Sequence, residues 1–462
     1  MTLIKSISGI RGTIGGKAGD CLSPIDIVKF SSAFALWASQ ASGKKKIVIG
    51  RDARPSGQMV ADLVKGAVTG VGVDVIDLGL STTPTVEMAV VWEEAAGGII
   101  LTASHNPIEW NALKLLNSQG EFVSSADGKA ILDLADSTFE FASVTQLGKV
   151  SVNENYLEQH LDAIVNLDFV DIESIKRADL KVAVDAVNSS GGIAIPRLLQ
   201  KLGVTQVEKL YCEPNGLFPH NPEPLAEHLT ELSKLMQQGS YDLGIVVDPD
   251  VDRLAFVCED GSMYGEEYTL VTVADFILMK NPGRNTVSNL SSTRALSDIT
   301  RKHGGQYFAS AVGEVNVVEK MKAVEAVIGG EGNGGIILPE LHYGRDALVG
   351  IALFLTHFVN QGLPLTTLRD SYPQYRMAKK KIQLTPDIDV DALLAEMAER
   401  KNDFEVNLTD GVKIDFPDSW VHLRKSNTEP IIRIYSEAQS LDQANELADS
   451  IIREIKSITA TK

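Results

Sequence analysis

The segment GGIILTASHNP, residues 97–107, is a short apolar run that breaks into a polar loop closed by Pro107. An apolar run of this length bounded by turn residues reads as a buried strand with the loop at its carboxyl end. Upstream, KKIVIGRDARPSG (45–57) gives a strand, a polar loop and the start of a helix, and VDVIDLGLSTTP (73–84) gives another strand. The trio recurs as LKVAVDAVNSSGG (180–192), VTQVEKLYCEP (204–214) and LGIVVDPDVDR (243–253). It recurs again as NTVSNLSSTRAL (285–296), QYFASAVGEVNV (306–317) and AVIGGEGNGG (326–335). Helical stretches such as 58–70 and 193–202 lie between strands, so the pattern is an internal repeat of α/β units with mostly parallel sheets.

In such sheets ligands collect at the carboxyl ends of strands. The repeat therefore places three loops, 102–107, 248–253 and 330–335, in equivalent positions lining one cleft. Beyond Leu363 the pattern changes. A helix is expected near 390–401, a strand near 412–416, further strands around VHLRKSNTEPIIRIYSEA (421–438) and a last helix over about 441–455. This part reads as a small α+β domain.

Composition narrows the function. The chain has 462 residues, 44% hydrophobic and 23% charged, which suits a folded protein of roughly three domains at about 150 residues each. Lys+Arg 43 against Asp+Glu 61 gives a net charge of −18. Such a surface repels nucleic acid and anionic membrane, so neither is an expected partner, and an anionic small molecule needs a locally basic pocket. Cys21, Cys212 and Cys258 form no CxxC pair and are expected to be reduced, buried thiols, which fits a cytoplasmic location. The start MTLIKSISGIRG does not read as a secretory leader. The apolar stretch 348–359 is too short to cross a bilayer and reads as a buried helix.

Three loops carry chemistry. In 102–107 Ser104 can present a hydroxyl into the cleft; no G-x-S-x-G surrounds it, and His105, as the adjacent residue, makes a poor base for a hydrolase triad. A phosphoryl-carrying serine needs a metal, cations and backbone donors instead. Asp248, Asp250 and Asp252 alternate in a tight loop and can converge on a hard divalent cation. An EF-hand is disfavoured: Glu259 falls at its twelfth position, but Arg253 stands where Gly is required and the flanks read as strands. Glu331 and Asn333 are the hydrogen-bonding side chains of a Gly-rich loop that suits sugar hydroxyls and lacks the Lys-Ser/Thr ending of a Walker A. Cations lie in polar loops at Arg11, Arg51, Arg54 and Lys114. Arg424, Lys425 and Arg433 flank Ser426, Asn427 and Thr428, a set that suits a phosphate.

Taken in order, TASHNP (102–107), DPDVDR (248–253), GEGNGG (330–335) and RKSNTEPIIR (424–433) resemble the α-D-phosphohexomutase superfamily over essentially the whole chain. The resemblance implies three related α/β domains with mixed, mostly parallel sheets and a smaller C-terminal α+β domain around a central cleft. The expected divisions are 1–148, 149–257, 258–370 and 371–462. It implies Ser104 as phosphoserine and, through that group, part of the environment of one Mg²⁺ held by Asp248, Asp250 and Asp252. Arg11, Lys114 and His105 join Ser104 as candidate catalytic groups. Arg253, Glu331, Asn333, Arg424, Ser426, Asn427, Thr428 and Arg433 are the candidate substrate contacts.

The implied reaction moves a phosphoryl group between C1 and C6 of a hexose phosphate through a sugar 1,6-bisphosphate. Many relatives carry Glu-x-Ser-Gly-His in the sugar loop, where this chain has Glu331-Gly332-Asn333-Gly334-Gly335. That variant resembles a branch assigned as phosphoglucosamine mutases, so glucosamine phosphate is the expected substrate, with phosphomannomutase/phosphoglucomutase activity as the alternative. A sugar phosphatase and a silent sugar-phosphate binding protein are the competing classes. Oligomeric state is not readable from the sequence.

Overall fold

In the computed structural model of the chain, which describes residues 2–6, 9–385, 388–425 and 431–460, the first sheet has seven strands. They are β1 (Ile4–Ser6), β2 (Gly9–Thr13), β3 (Lys46–Arg51), β4 (Asp74–Leu80), β5 (Gly97–Leu101), β6 (Trp110–Leu116) and β7 (Val150–Val152), in the order β1-β2-β6-β5-β3-β4-β7. Strands β5, β3, β4 and β7 run parallel, and β6, β2 and β1 extend the sheet antiparallel. The sequence of β3 is apolar without alternation because both faces are covered. Ile47 and Ile49 pack with Phe30 and Phe34 of helix Pro24–Ser42 and with Val60 and Val64 of helix Gly57–Gly70. Val48, between them, packs with Val86 and Val90 of helix Thr83–Trp92 on the opposite face.

The second sheet repeats this core. Its strands β8 (Lys181–Asp185), β9 (Gln206–Leu210), β10 (Leu243–Val247) and β11 (Leu254–Cys258) lie in the order β11-β10-β8-β9, matching β6-β5-β3-β4 in both order and direction. The third repeats the parallel trio: β12 (Thr286–Asn289), β13 (Tyr307–Ser310) and β14 (Ile328–Glu331) lie as β13-β12-β14, and β15 (Gly335–Ile337) follows in the chain. The predicted repeat is therefore present. The loops 102–107 and 248–253 each leave a parallel strand and enter an antiparallel one.

Two compact units result, Met1–Ile277 with Asn333–Arg369, and Leu278–Gly332 with Asp370–Lys462. The second contains an antiparallel sheet of β16 (Arg376–Gln383), β17 (Glu405–Asn407), β18 (Val412–Asp415), β19 (Trp420–Lys425) and β20 (Ile431–Ala438), ordered β16-β20-β19-β18-β17. Its inward residues Ile414, Val421, Leu423, Ile432 and Ile434 pack with helices Val390–Arg400 and Leu441–Ala460. The last helix runs beyond the expected residue 455 because its apolar face continues to the buried Ile458. The apolar stretch near residue 350 is a helix, Ala347–Gln361, begun by Asp346 as N-cap and ended by Gly362 at φ 62°. It is buried on every side through Phe358, so its pattern is uniformly apolar.

The three cysteines are free. Cys21 and Cys258 are buried as expected, but Cys212 is half-buried because it follows β9, an edge strand. Among the described residues no helix is long and apolar enough to cross a membrane.

Candidate active site

The serine loop is bent by local hydrogen bonds and held from behind by one arginine. Ser104 adopts φ 50°, a left-handed conformation uncommon for a residue with a Cβ. Its amide donates to Thr102 Oγ1 at 2.9 Å, and Asn106 Nδ2 donates to the Ala103 carbonyl at 2.9 Å. The guanidinium of Arg54 is buried behind the loop and donates to the carbonyls of Ser104, Asn106 (2.7 Å), Pro107 (2.6 Å) and Trp110 (3.1 Å). Arg54 Nε donates to Asp52 Oδ2 at 3.0 Å, and that oxygen also accepts from Thr102 Oγ1 at 2.7 Å. Burial pushes the Asp52 carboxyl up, and Arg54 and Thr102 work against that push. A planar fork of donors is the group that can collect four carbonyls at once.

The aspartate loop lies across the serine. Ser104 Oγ donates to Asp248 Oδ2 at 2.7 Å. Asp248 Oδ1 accepts from the amides of Asp252 and Arg253, both at 3.2 Å, which curls the loop. The curl forces Val251 to φ 64°, a conformation that costs a β-branched residue about 1–3 kcal/mol. The strained turn brings oxygens of Asp248, Asp250 and Asp252 within 4.8 Å of one another, all fully buried.

Cations answer two of these carboxylates. Asp250 Oδ2 accepts from Lys114 Nζ at 2.6 Å and from Thr83 Oγ1 at 2.5 Å. Asp252 Oδ2 accepts from Arg345 Nη2 at 2.7 Å and from Lys114 Nζ at 3.2 Å. Asp250 Oδ1 and Asp252 Oδ1 remain buried without a hydrogen-bond partner. Burial and the charges of Asp250 and Asp252 drive the Asp248 carboxyl well up, with Arg253 opposing. Burial would raise Asp252 too, but Arg345, Lys114 and Arg253 outweigh it and hold it well below the usual range. Burial works against charge on Lys114, yet Asp250 and Asp252 prevail and hold it protonated.

A cavity of about 170 Å³ opens over these groups, lined among others by Arg11, Ser104, His105, Lys114, Arg253 and Arg345. Arg11 pairs with Ala112 across β2 and β6 while Gly9 pairs with Lys114. Two-residue periodicity then puts Arg11 and Lys114 on one face of the sheet. His105 Nδ1 lies 3.5 Å from Ser104 Oγ. Burial and the nearby Arg253 push His105 down to about 3, so its ring is neutral at ordinary pH.

Among the described residues, the remaining expected ones are each held by local partners. Glu331 ends β14 in the second unit, where its Oε1 accepts from Asn289 Nδ2 at 2.8 Å and from the Gly313 amide at 3.1 Å. Asn333 belongs to the first unit and accepts from the Gly335 amide at 3.2 Å. Arg424 and Arg433 are direct cross-strand partners on β19 and β20, and Arg424 Nε contacts Asp410 at 2.8 Å. Lys425 turns to Asp391 at 2.6 Å. Ser426, Asn427 and Thr428 lie outside the described residues.

Sequence reasoning missed Arg345 and Thr83, which grip the aspartate loop, and the bracing role of Arg54 with Asp52. Arg345 reaches Asp252 across 93 residues. The one local signal was its place beside Asp346, an N-cap residue before an apolar helix. Gly335 explains why Arg345 fits, since a Cβ there would lie 2.3 Å from Arg345 Cδ.

Comparison with known proteins agrees with this architecture. Models of phosphoglucomutase/phosphomannomutase alpha/beta/alpha domains I, II and III match residues 3–141, 158–261 and 265–375, and the model of the C-terminal domain matches 378–454. A Thermococcus kodakarensis protein named phosphoglucomutase/phosphomannomutase is 35% identical, covering 94% of this chain and 96% of its own. A Sulfurisphaera tokodaii phosphoglucosamine/phosphogalactosamine mutase is 31% identical over 98% of both chains. A crystal structure of a phosphoglucomutase/phosphomannomutase family protein from Burkholderia thailandensis superposes with a TM-score of 0.83 at 25% identity, covering 98% of each chain. On four successive domain matches and full-length relatives, the chain belongs to the phosphoglucomutase/phosphomannomutase family of the α-D-phosphohexomutase superfamily.

Proposed function

We propose that this protein is a phosphohexomutase in which Ser104 carries the phosphoryl group that passes between C1 and C6 of a hexose phosphate. The observation that carries the reading is the 2.7 Å contact of a buried serine hydroxyl with the first of three convergent aspartates. Two orphaned carboxylate oxygens and an all-oxygen donor set fit one hard divalent cation, Mg²⁺, held by Asp248, Asp250 and Asp252. When bound, that ion supplies charge neutralisation for a transferring phosphoryl group.

The chain's own groups then divide the work. A phosphoserine brings roughly −1.5 to −2 charges into the cavity. Arg11 and Lys114, sharing one face of the sheet, offset that charge as it spreads over the equatorial oxygens. With Asp250 and Asp252 facing it, Lys114 is held as a cation beside the serine loop. His105 is neutral and serves as a hydrogen-bonding neighbour of Ser104. The Ser104 Oγ–P bond breaks as a sugar hydroxyl oxygen attacks phosphorus, and the hydroxyl's proton passes to the departing Ser104 Oγ, giving a sugar 1,6-bisphosphate and the free serine. The reverse step at the other end of the sugar returns a phosphoryl group to Ser104 and releases the isomer.

Arg253 contributes to the reacting phosphate, and Glu331 and Asn333 contact sugar hydroxyls. The cross-strand pair Arg424 and Arg433, with Ser426, Asn427 and Thr428, holds the phosphate that is not reacting. The four-part division at residues 148, 257 and 370 assigns one of these tasks to each part. Glucosamine 6-phosphate to glucosamine 1-phosphate is the favoured conversion, supported by the phosphoglucosamine/phosphogalactosamine mutase relative. The 35% identity to a phosphoglucomutase/phosphomannomutase supports glucose or mannose phosphate as the second reading.

The test is a parallel assay of glucosamine 6-phosphate, glucose 1-phosphate and mannose 1-phosphate, with inorganic phosphate measured beside isomer. A kcat/KM for mannose or glucose phosphate about tenfold or more above that for glucosamine phosphate reverses the substrate reading. Release of inorganic phosphate without isomer marks a phosphatase, and tight binding without either product marks a binding protein.

A further inference from the structure

A second cluster of ligand-type side chains lies in the first unit, away from the aspartate loop. His160 comes from helix Tyr156–Val165, Glu87 from helix Thr83–Trp92, and His342 and Asp346 from the turn that starts helix Ala347–Gln361. His160, Glu87 and Asp346 are buried and His342 is half-buried. Asp346 Oδ2 lies 3.0 Å from His160 Nε2 and 3.3 Å from His342 Nε2, and the three atoms are within 4.8 Å of one another. The edge of a tetrahedron around zinc, with bonds of about 2.0–2.2 Å, is about 3.3–3.6 Å. The 3.3 Å separation matches that edge and the 3.0 Å separation is a few tenths of an ångström shorter.

The outer atoms of both rings are furnished as well. His160 Nδ1 meets Thr85 Oγ1 at 3.0 Å, and Thr85 Oγ1 meets Thr82 Oγ1 at 2.7 Å. His342 Nδ1 faces Glu87 Oε2 at 3.4 Å. Glu87 comes that close because residue 344 is glycine, where a Cβ would fall 1.9 Å from Glu87 Oε2. An imidazole between two carboxyls can be satisfied with one of those acids protonated, and two further arrangements leave both acids ionised. Either it carries two protons, or its Nε2 lone pair binds a metal while Nδ1–H donates to the outer carboxylate. The second is the carboxylate–histidine arrangement that orients metal ligands. A divalent ion also answers the two buried acids with a matching charge.

We infer that His160 Nε2, His342 Nε2 and Asp346 Oδ2 form a binding site for a borderline transition-metal ion, Zn²⁺ by its donor set, with Glu87 and Thr85 orienting the two rings. Two imidazoles and one carboxylate select such an ion over Mg²⁺. The ion ties the His160 helix to the turn that holds His342 and Asp346, and two neighbouring segments grip the aspartate loop. Thr83, on the Glu87 helix, donates to Asp250, and Arg345, next to Asp346, donates to Asp252. The site goes beyond the mutase reading, and metal content and spectra test it without reference to catalysis.

The experiment loads the full chain, stripped by chelator and dialysed, with Zn²⁺ alone and with Co²⁺ alone. Wild type is expected to retain one equivalent of Zn²⁺ in the presence of excess Mg²⁺, and Co²⁺ is expected to give the visible d–d bands of a tetrahedral site. Both are lost in His342→Ala and kept in Asp252→Asn, which alters the other cluster. Absence of d–d bands in wild type overturns the inference, whatever the folding of the variant. So does zinc uptake that survives His342→Ala or disappears in Asp252→Asn, since the ion then sits among the aspartates.

Discussion

Arg345 Nη2 lies 2.7 Å from Asp252 Oδ2, across 93 residues of sequence. The contact, together with Lys114, keeps Asp252 ionised although it is fully buried beside two other carboxylates. Without such cations a buried carboxylate takes up a proton. It then offers less charge to a metal.

Replacing Arg345 by Gln is therefore expected to lower kcat/KM on the order of 100-fold, the usual cost of removing one preorganised charge donor. Gly335→Ala should produce a similar loss by a different route, because its Cβ would lie 2.3 Å from Arg345 Cδ. Steady-state kinetics on both variants and on the double variant checks this. The double variant should be barely worse than either alone, since both changes break one interaction. Additive losses would show that Gly335 acts independently of Arg345.

Arg54 touches no part of the cavity opening, yet it holds four carbonyls of the serine loop and the buried Asp52. Arg54→Met leaves Asp52 as a buried carboxyl without its cation, a defect worth about 3–5 kcal/mol. Denaturant unfolding should show that loss. Asp52→Asn in the same background should recover part of it by removing the uncompensated charge.

The aspartate loop predicts a metal-dependent stability. Three buried carboxylates with oxygens within 4.8 Å of one another, two of them with unpartnered oxygens, repel one another, and a divalent cation relieves that repulsion. Added Mg²⁺ should raise Tm by mass action, by about 2.7 kcal/mol of stability at a concentration 100 times Kd. Asp250→Ala should abolish the Mg²⁺-dependent part of the rise, measured by thermal scans with and without the ion.

In the second unit His422 supplies a pH dependence. Its Nδ1 meets Ser291 Oγ at 2.9 Å and its Nε2 meets the Asp410 carbonyl at 2.6 Å. Burial, with Lys413 and Arg424 adding to it, pushes the ring down to about 4, against the opposing Asp410 contacts. The unfolded chain takes up this proton near pH 6.5 and the folded chain only near pH 4, so between those values the unfolded state binds more protons. Stability is full above about pH 6.5 and falls by on the order of 3 kcal/mol as pH drops to about 4. Urea unfolding across that range should show the slope in wild type and a shallower one in His422→Gln.

Much of this was legible in the sequence. The apolar strands and the polar loops at their ends gave the repeat, because parallel strands buried on both faces are uniformly apolar, as Ile47, Val48 and Ile49 show. Ser104 and the three aspartates stood out because their chemistry is contained in two contiguous loops. What escaped was long-range. Nothing near Arg345 or Thr83 indicates that each ends on an aspartate in a distant loop. The Arg54 brace was likewise hidden, since carbonyls are present at every residue and leave no mark in a sequence. Helix ends were approximate because an amphipathic face such as that of Leu441–Ala460 fades without a stop signal.

The central claim is that Ser104 carries phosphorus. Intact-mass measurement of wild type and Ser104→Ala after incubation with a hexose 1,6-bisphosphate and Mg²⁺ tests it most directly. The account predicts that wild type gains the mass of one phosphoryl group, loses it on addition of excess hexose monophosphate, and that the alanine variant gains nothing. A wild-type mass that never changes, or an alanine variant that gains the same increment, contradicts it.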